Sequence, residues 1–344
     1  MDTAVRRLAA QGLIDSELDD ASGVVGRLLA VQAQDPRGAR LAIRPRRSRP
    51  GSAAEIDAGL NDGSLVIGWL NRGTLHLVRS EDYRWLHSLT SKRQMTSNRT
   101  RLRQEGVSEN QAERGVELVV DRLADGPATR GEIRGLLENQ GIPVAGQALV
   151  HILFFASLRG LILRGPMKAG EHAFVLVDDW LDSEPESQHE VALAELARRY
   201  LAGHGPASER DLAKWAGVTL GQARKGLELI GDELIEVETE SGATVDLKRR
   251  PEPDGGVPAR LLGAFDPILH GWESRDWLIP DRDGRKVVTT NGIFRPTILV
   301  ENRIVGTWTM PGGKVELAPF AELDRKARAT LSEEAEAVVR YLAD

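Results

Sequence analysis

Gln32, Gln34 and Asp35 sit where apolar sequence turns abruptly polar, in Leu29-Ala30-Val31-Gln32-Ala33-Gln34-Asp35-Pro36. Val24, Val25, Leu28 and Leu29 recur as one buried helix face does, with Val31 nearby. Pro36 disfavours α conformation at the residue before it, so the helix is expected to end at Asp35. That places the two glutamines and the aspartate on the last turn or just past it, pointing out of the core. An acid-free arginine run follows: Arg37, Arg40, Arg44, Arg46, Arg47 and Arg49. Uncharged amides on a rigid element beside an anion-attracting strip suit nucleic-acid chemistry, and Asp35 is the competing candidate for a base. The same residues also suit a solvated helix end and a solvated loop. Spacing alone favours that plainer reading.

Other candidates are more scattered. His76 follows Arg72-Gly73-Thr74-Leu75, and Thr74 and His76 share one face of a strand by their period of two. The histidine is either a phosphate or base contact, or a proton donor, or a half-exposed strand residue; the last comes first. Asp266 in Ala264-Phe265-Asp266-Pro267 reads as a turn opener before a catalytic carboxylate. Trp272 and Trp277 flank Arg275 and read as core before base-stacking surface. No metal site is expected. The 7 histidines show no His-Glu-x-x-His spacing and there are 0 cysteines, which also excludes disulfides and thiol nucleophiles. No phosphate loop of the Gly-x-x-x-x-Gly-Lys type occurs, and no cofactor is expected.

The 344 residues allow two or three domains and a sizeable core. The net charge of −6 argues against a generic nucleic-acid coat, but its distribution is uneven. Lys92, Arg93, Arg99, Arg101 and Arg103 make a second basic stretch. Acids gather at Asp178, Asp179, Asp182, Glu184, Glu186 and Glu190, then at Asp232, Glu233, Glu236, Glu238 and Glu240. Such a field attracts a polyanion to one face. The N-terminus lacks the apolar run of a signal peptide, and Ile152 to Leu158 is far short of the ~20 residues that span a bilayer. A cytoplasmic protein is the expectation.

The elements that must hold these residues read as follows. Two helices fill residues 1 to 35, a helix covers Ala53 to Leu60, and Leu65 to Leu70 with Thr74 to Val78 form a hairpin around Asn71-Arg72-Gly73. An internal repeat follows. Leu123-Ala124-Asp125-Gly126-Pro127-Ala128-Thr129 recurs as Leu201-Ala202-Gly203-His204-Gly205-Pro206-Ala207-Ser208. Each copy follows an amphipathic helix and opens a second with a capping box, Thr129 with Glu132 and Ser208 with Asp211. Each then breaks at a glycine, Gly141 or Gly217, continues in a third helix and closes in two strands. Three helices and a ribbon, twice, is the winged-helix order. Residues 248–263 read as a linker. Strands over Val287 to Thr290, Thr297 to Val300 and Ile304 to Met310, and a helix from Ser332, complete a β-rich end.

Three motifs in order, Leu28-Leu29-Ala30-Val31-Gln32-Ala33-Gln34-Asp35-Pro36-Arg37, Arg72-Gly73-Thr74-Leu75-His76-Leu77-Val78 and Ala264-Phe265-Asp266-Pro267, resemble the AlkZ/YcaQ family of bacterial winged-helix DNA glycosylases. The resemblance covers nearly the whole chain. It implies an α+β fold of three tandem winged-helix units in a C-shape, with a C-terminal β-rich subdomain. The expected segments are 1–110 with the catalytic motif and basic strip, 111–185, 186–250 and 251–344. It implies excision of N-alkylated purines, including bulky adducts and interstrand crosslinks. The AlkZ-like branch carries Gln-apolar-Gln at the catalytic position, which matches Gln32-Ala33-Gln34. The YcaQ-like branch has Asp in the second place, which this chain lacks. The sequence therefore predicts a monofunctional DNA glycosylase that acts as a monomer on double-stranded DNA carrying alkylated bases. Gln32 and Gln34 are the expected catalytic pair. Arg37, Arg40, Arg44, Arg46, Arg47, Arg72, His76, Arg93 and Arg99 are the expected DNA contacts. A non-catalytic winged-helix transcription regulator is the alternative.

Overall fold

The computed structural model describes residues 2–183, 188–239 and 242–343; Glu184, Glu186 and Glu240 of the acidic stretches lie outside them. The chain forms two compact units, one of Met1–Ile56 with Leu193–Asp344 and one of Asp57–Ala192.

The chain opens with α1 (Thr3–Ala10), capped by Asp2, and α2 (Ala21–Leu28), capped by Asp20. The second helix does not run on to Asp35. Leu29, fully buried, takes φ 62° and ψ −47°, and the Ala30 N–H donates to the Leu28 carbonyl at 2.8 Å. This is a γ-turn of the rare, strained kind. The chain then extends through β1 (Val31–Gln32). Pro36 starts a helix instead of ending one. It occupies the first turn of α3 (Pro36–Ile43), where a missing N–H leaves nothing unsatisfied, and Asp35 is the N-cap. Leu41 to Ile43 are the buried end of that helix.

α4 (Ala54–Asp62) leads to β2 (Leu65–Trp69) and β3 (Leu75–Arg79), which pair antiparallel with Trp69 opposite Leu75, the expected hairpin. Then come α5 (Ser80–Thr90), α6 (Met95–Gln104), α7 (Glu109–Ala124), α8 (Arg130–Asn139) and α9 (Ala148–Leu158). β4 (Ile162–Lys168), β5 (Glu171–Leu176) and α10 (Val177–Trp180) follow. Within this unit the strand order is β3-β2-β4-β5. α9 is apolar on every side because it is the centre of the core, where Ile152, Leu153, Phe155 and Ala156 join Trp69 and Phe174.

α11 (His189–His204), α12 (Glu209–Ala216) and α13 (Leu220–Leu229) precede the hairpin β6 (Leu234–Thr239) and β7 (Gly242–Leu247). The last section holds β8 (Arg260–Leu262), α14 (Gly284–Val287), β9 (Thr297–Val300), β10 (Arg303–Thr309), β11 (Glu316–Pro319) and α15 (Arg325–Ala343). Its sheet runs β11-β10-β9-β8. The strand expected over Val287 to Thr290 is reduced to one bridge, Val288 to Phe294. The final helix begins at Arg325, well before Ser332.

The repeat is structural. α7-α8-α9-β4-β5 and α11-α12-α13-β6-β7 have the same order. Both capping boxes form, at Thr129 with Glu132 and at Ser208 with Asp211. Gly141 and Gly217 both take positive φ, +69° and +74°, a conformation that a side chain would strain. The equivalent alanines make equivalent two-bond bridges to the second strand of each hairpin, Ala128 to Phe174 and Ala207 to Val245.

Candidate active site

Gln32 and Gln34 project on the same side of the extended segment, and the Gln32 Nε2–H donates to Gln34 Oε1 at 2.6 Å. Gln32 is buried, 6% exposed, while Gln34 is exposed. Gln32 Oε1 is buried and has no hydrogen-bond partner among the described residues. A buried amide oxygen left open is costly. The pair therefore holds one buried acceptor without a partner, Gln32 Oε1, and exposes the donors of the Gln34 amide. That exposed amide fits a water molecule or a polar substrate atom.

Asp35 is committed elsewhere. Its Oδ1 accepts the Gly38 N–H at 2.5 Å and closes the start of α3. An Asp35→Asn change keeps that acceptor, so melting temperature and function are expected to stay near wild type. Asp35→Ala removes the cap and is expected to cost about 1 kcal/mol in urea denaturation.

Three of the strip's six arginines, Arg44, Arg46 and Arg47, are an internal scaffold, which corrects the expectation that they contact DNA. Arg46 is fully buried, 0% exposed, and all five of its N–H groups are used. Two go to the Asp266 carboxylate at 2.6 and 2.9 Å, the rest to Gln11 and the Ala42 carbonyl. Asp266 is equally buried and also accepts the Ile268 N–H, as the turn-opener reading expects. Arg44 pairs with Glu334 at 2.6 Å, and Arg47 with Glu55 at 2.6 Å. Arg40 bonds the Pro36 carbonyl at 2.8 Å. Arg37 remains exposed and touches the Met310 sulfur.

His76 is also corrected. It is buried, 3% exposed, with Nδ1 bonded to the Thr74 carbonyl at 2.9 Å. Burial pushes its pKa down to about 3, opposed by the Thr74 bond and reinforced by the Arg72 charge. A neutral ring is no cationic phosphate contact. His204, buried in α11, is held down to about 3 by burial as well. Both pKa values lie below the unfolded value, so both neutral forms stabilise the fold above pH ~6.5. That stability is lost as pH falls toward 3. Each histidine is expected to remove about 1.4 kcal/mol per pH unit in that window. Urea midpoints measured from pH 7 to pH 5 should fall steadily; a flat profile would place these rings in water.

The second basic stretch behaves differently. Lys92, Arg93, Arg99, Arg101 and Arg103 are exposed. Among the described residues Lys92, Arg99, Arg101 and Arg103 make no ion pair; Arg101 bonds Gln104 and Arg103 bonds Thr100. The Arg99 guanidinium lies 5.9 Å from the Phe155 ring centroid. Arg99 and Arg103 line a cavity of about 280 Å³ with Thr96, Ser108 and Phe155. Arg72 is half-buried, in the hairpin loop at φ 57°.

The family model described as DNA glycosylase AlkZ-like matches residues 25–341. The chain belongs to the AlkZ-like DNA glycosylases. It is thus an enzyme that hydrolyses N-glycosidic bonds in DNA. The interstrand DNA cross-link repair glycosylase of Streptomyces sahachiroi is 28% identical, over 97% of this chain and 94% of that protein. The solved structure of the Streptomyces sahachiroi DNA glycosylase AlkZ superposes with a TM-score of 0.80 at 25% identity, covering 98% of this chain and 95% of that one. The mixed helix-and-sheet fold is therefore that of an AlkZ-like glycosylase. Among the described residues no helix is long and apolar enough to cross a membrane.

Proposed function

We propose that this AlkZ-like glycosylase excises cationic N-alkylated purines and leaves an intact abasic site. The hydrogen-bonded Gln32–Gln34 pair, with its exposed Gln34 amide, carries that reading. An alkylated purine already bears positive charge and leaves without being protonated. Its bonding electrons neutralise it as the sugar becomes oxocarbenium-like. The exposed Gln34 amide orients the attacking water, Gln32 holds Gln34 through its hydrogen bond, and their dipoles favour the developing charge. Water adds to the sugar carbon, the neutral alkylpurine departs, and one proton passes to solvent. Three tandem winged helices would build the protein, two of them the repeats above and the first in residues 1–110. The name of the Streptomyces relative supports interstrand crosslinks as substrates, and bulky adducts are proposed beside them; such a lesion is read in the duplex or flipped according to its size.

The test is incubation with DNA carrying a defined N7- or N3-alkylpurine, then alkaline cleavage at abasic sites. Release in EDTA, with no borohydride-trapped enzyme–DNA adduct and no release of uracil, is the expected result. Binding without excision would favour a transcription regulator. Robust uracil release would refute the charge argument.

DNA affinity is proposed to come from Arg93, Arg99, Arg101 and Arg103, with Arg37, Arg40 and Arg72 as further contacts. With about six phosphates neutralised, log affinity should fall with log salt at a slope near −5. Arg99→Ala and Arg103→Ala are each expected to flatten it by about 1. An unchanged slope in both would move the DNA surface off α6.

A further inference from the structure

We propose that Ala264-Phe265-Asp266 is a positioning clamp for the glutamine segment, acting through α3 and touching no substrate; the proposal rests on Gln32 and Gln34 being the catalytic pair. The clamp grips α3 at both ends. Near its C-terminal end, Arg46 follows within three residues and holds Asp266 with a two-pronged ion pair, both side chains at 0% exposure. At its first turn, Gly38 lies so close to Ala264 that a Cβ would run into the Ala264 carbonyl oxygen. Gly263, next in line, is also close, with a Cβ there 2.8 Å from the Leu41 side chain and 2.9 Å from the Gly38 carbonyl oxygen. Only glycine permits this approach.

The grip matters because of what α3 is attached to. Its N-cap is Asp35, and Gln34 is the residue before the cap. Three residues before Gln32 stands the strained γ-turn at Leu29. Phe265, inside the clamp, is itself at φ 55°. Strained backbone persists only where its surroundings over-determine it. Leu29 and α3 anchor the two ends of the segment 30–35, which is short and open at Gln34. A displaced α3 moves Gln34 directly. A shift of about 1 Å in a positioning group is enough to cost on the order of 10²-fold in rate. The third motif thus belongs with the first for a mechanical reason, not as a second carboxylate of the reaction.

The experiment compares Gly38→Ala and Asp266→Asn with wild type and with Gln34→Ala. Three readouts are taken: amide hydrogen exchange across residues 30–38, single-turnover release of a cationic alkylpurine at saturating enzyme, and Kd for undamaged duplex. The expected result for Gly38→Ala is exchange raised at least ~10-fold in that segment and little elsewhere, release slowed at least ~10-fold, and Kd within about threefold. Asp266→Asn keeps the shape, loses the charge and is expected to behave alike; if it does not fold, Gly38→Ala decides. Unchanged exchange in 30–38 overturns the clamp whatever the rate does. Raised exchange with unchanged release, where Gln34→Ala does slow release, overturns its role in positioning. If Gln34→Ala leaves release intact, the glutamine reading itself has failed, and exchange alone then decides whether the clamp holds the segment.

Discussion

Arg46→Ala is expected to destabilise the protein by about 3–5 kcal/mol, because it leaves the Asp266 carboxylate buried without its counter-charge. Few single changes do more against a total stability of roughly 5–15 kcal/mol. The guanidinium makes five hydrogen bonds, and removing it also strands Gln11 and the Ala42 carbonyl. Arg46→Lys keeps the charge but cannot reproduce a planar fork, so it should fall between the two. Urea denaturation of the three proteins checks this. A midpoint for Arg46→Ala within experimental scatter of wild type would mean that the pair holds nothing in place.

That arginine also shows what the sequence could and could not reveal. An acid-free run of six arginines reads as surface, because its counter-charges lie outside the run. Asp266 and Glu334 stand 220 and 290 residues from Arg46 and Arg44, and Glu55, 8 residues after Arg47, belongs to α4, so no spacing within the run announces them. Repeat, capping boxes and hairpin were legible, since each is a local pattern: Thr129 with Glu132, and Asn71-Arg72-Gly73 between two apolar runs. The glutamine pair was legible as residues but not as geometry. Pro36 reads as a helix stop but is a helix start, and the γ-turn at Leu29 has no glycine to betray it. His76 looked half-exposed by alternation, but the hairpin that carries it is buried by α5 and its neighbours. The cations on α6 were visible as composition; that among the described residues they pair with no acid, while Arg44, Arg46 and Arg47 do, belongs to tertiary structure.

Gln34→Ala is expected to slow single-turnover release of a cationic alkylpurine by ~10²-fold or more, comparable to the loss of one preorganised donor. Its melting temperature should match wild type, since Gln34 is exposed and, among the described residues, its side chain bonds only Gln32. Gln32→Ala should slow release similarly, because it frees Gln34 to turn. An amide cannot take up a proton at neutral pH, so the pair can orient water but cannot act as a base. The pH–rate profile above pH ~5 should therefore lack a carboxylate limb. If Asp35→Asn abolishes release while Gln34→Ala leaves it intact, Asp35 is the base and the cap assignment is secondary.

The order of synthesis gives the Arg46–Asp266 pair a further meaning. The two residues are 220 positions apart in the chain. At roughly 5–20 residues per second, Arg46 leaves the ribosome about 10–45 s before its partner is made. The unit Asp57–Ala192 is complete within that interval and is free to fold first. Residues 1–56 must wait beside it with an unpaired arginine and an unanchored α3. A nascent chain halted before residue 266 carries both glutamines but not the grip that aims them. The protein thus translates its chemistry early and assembles it late.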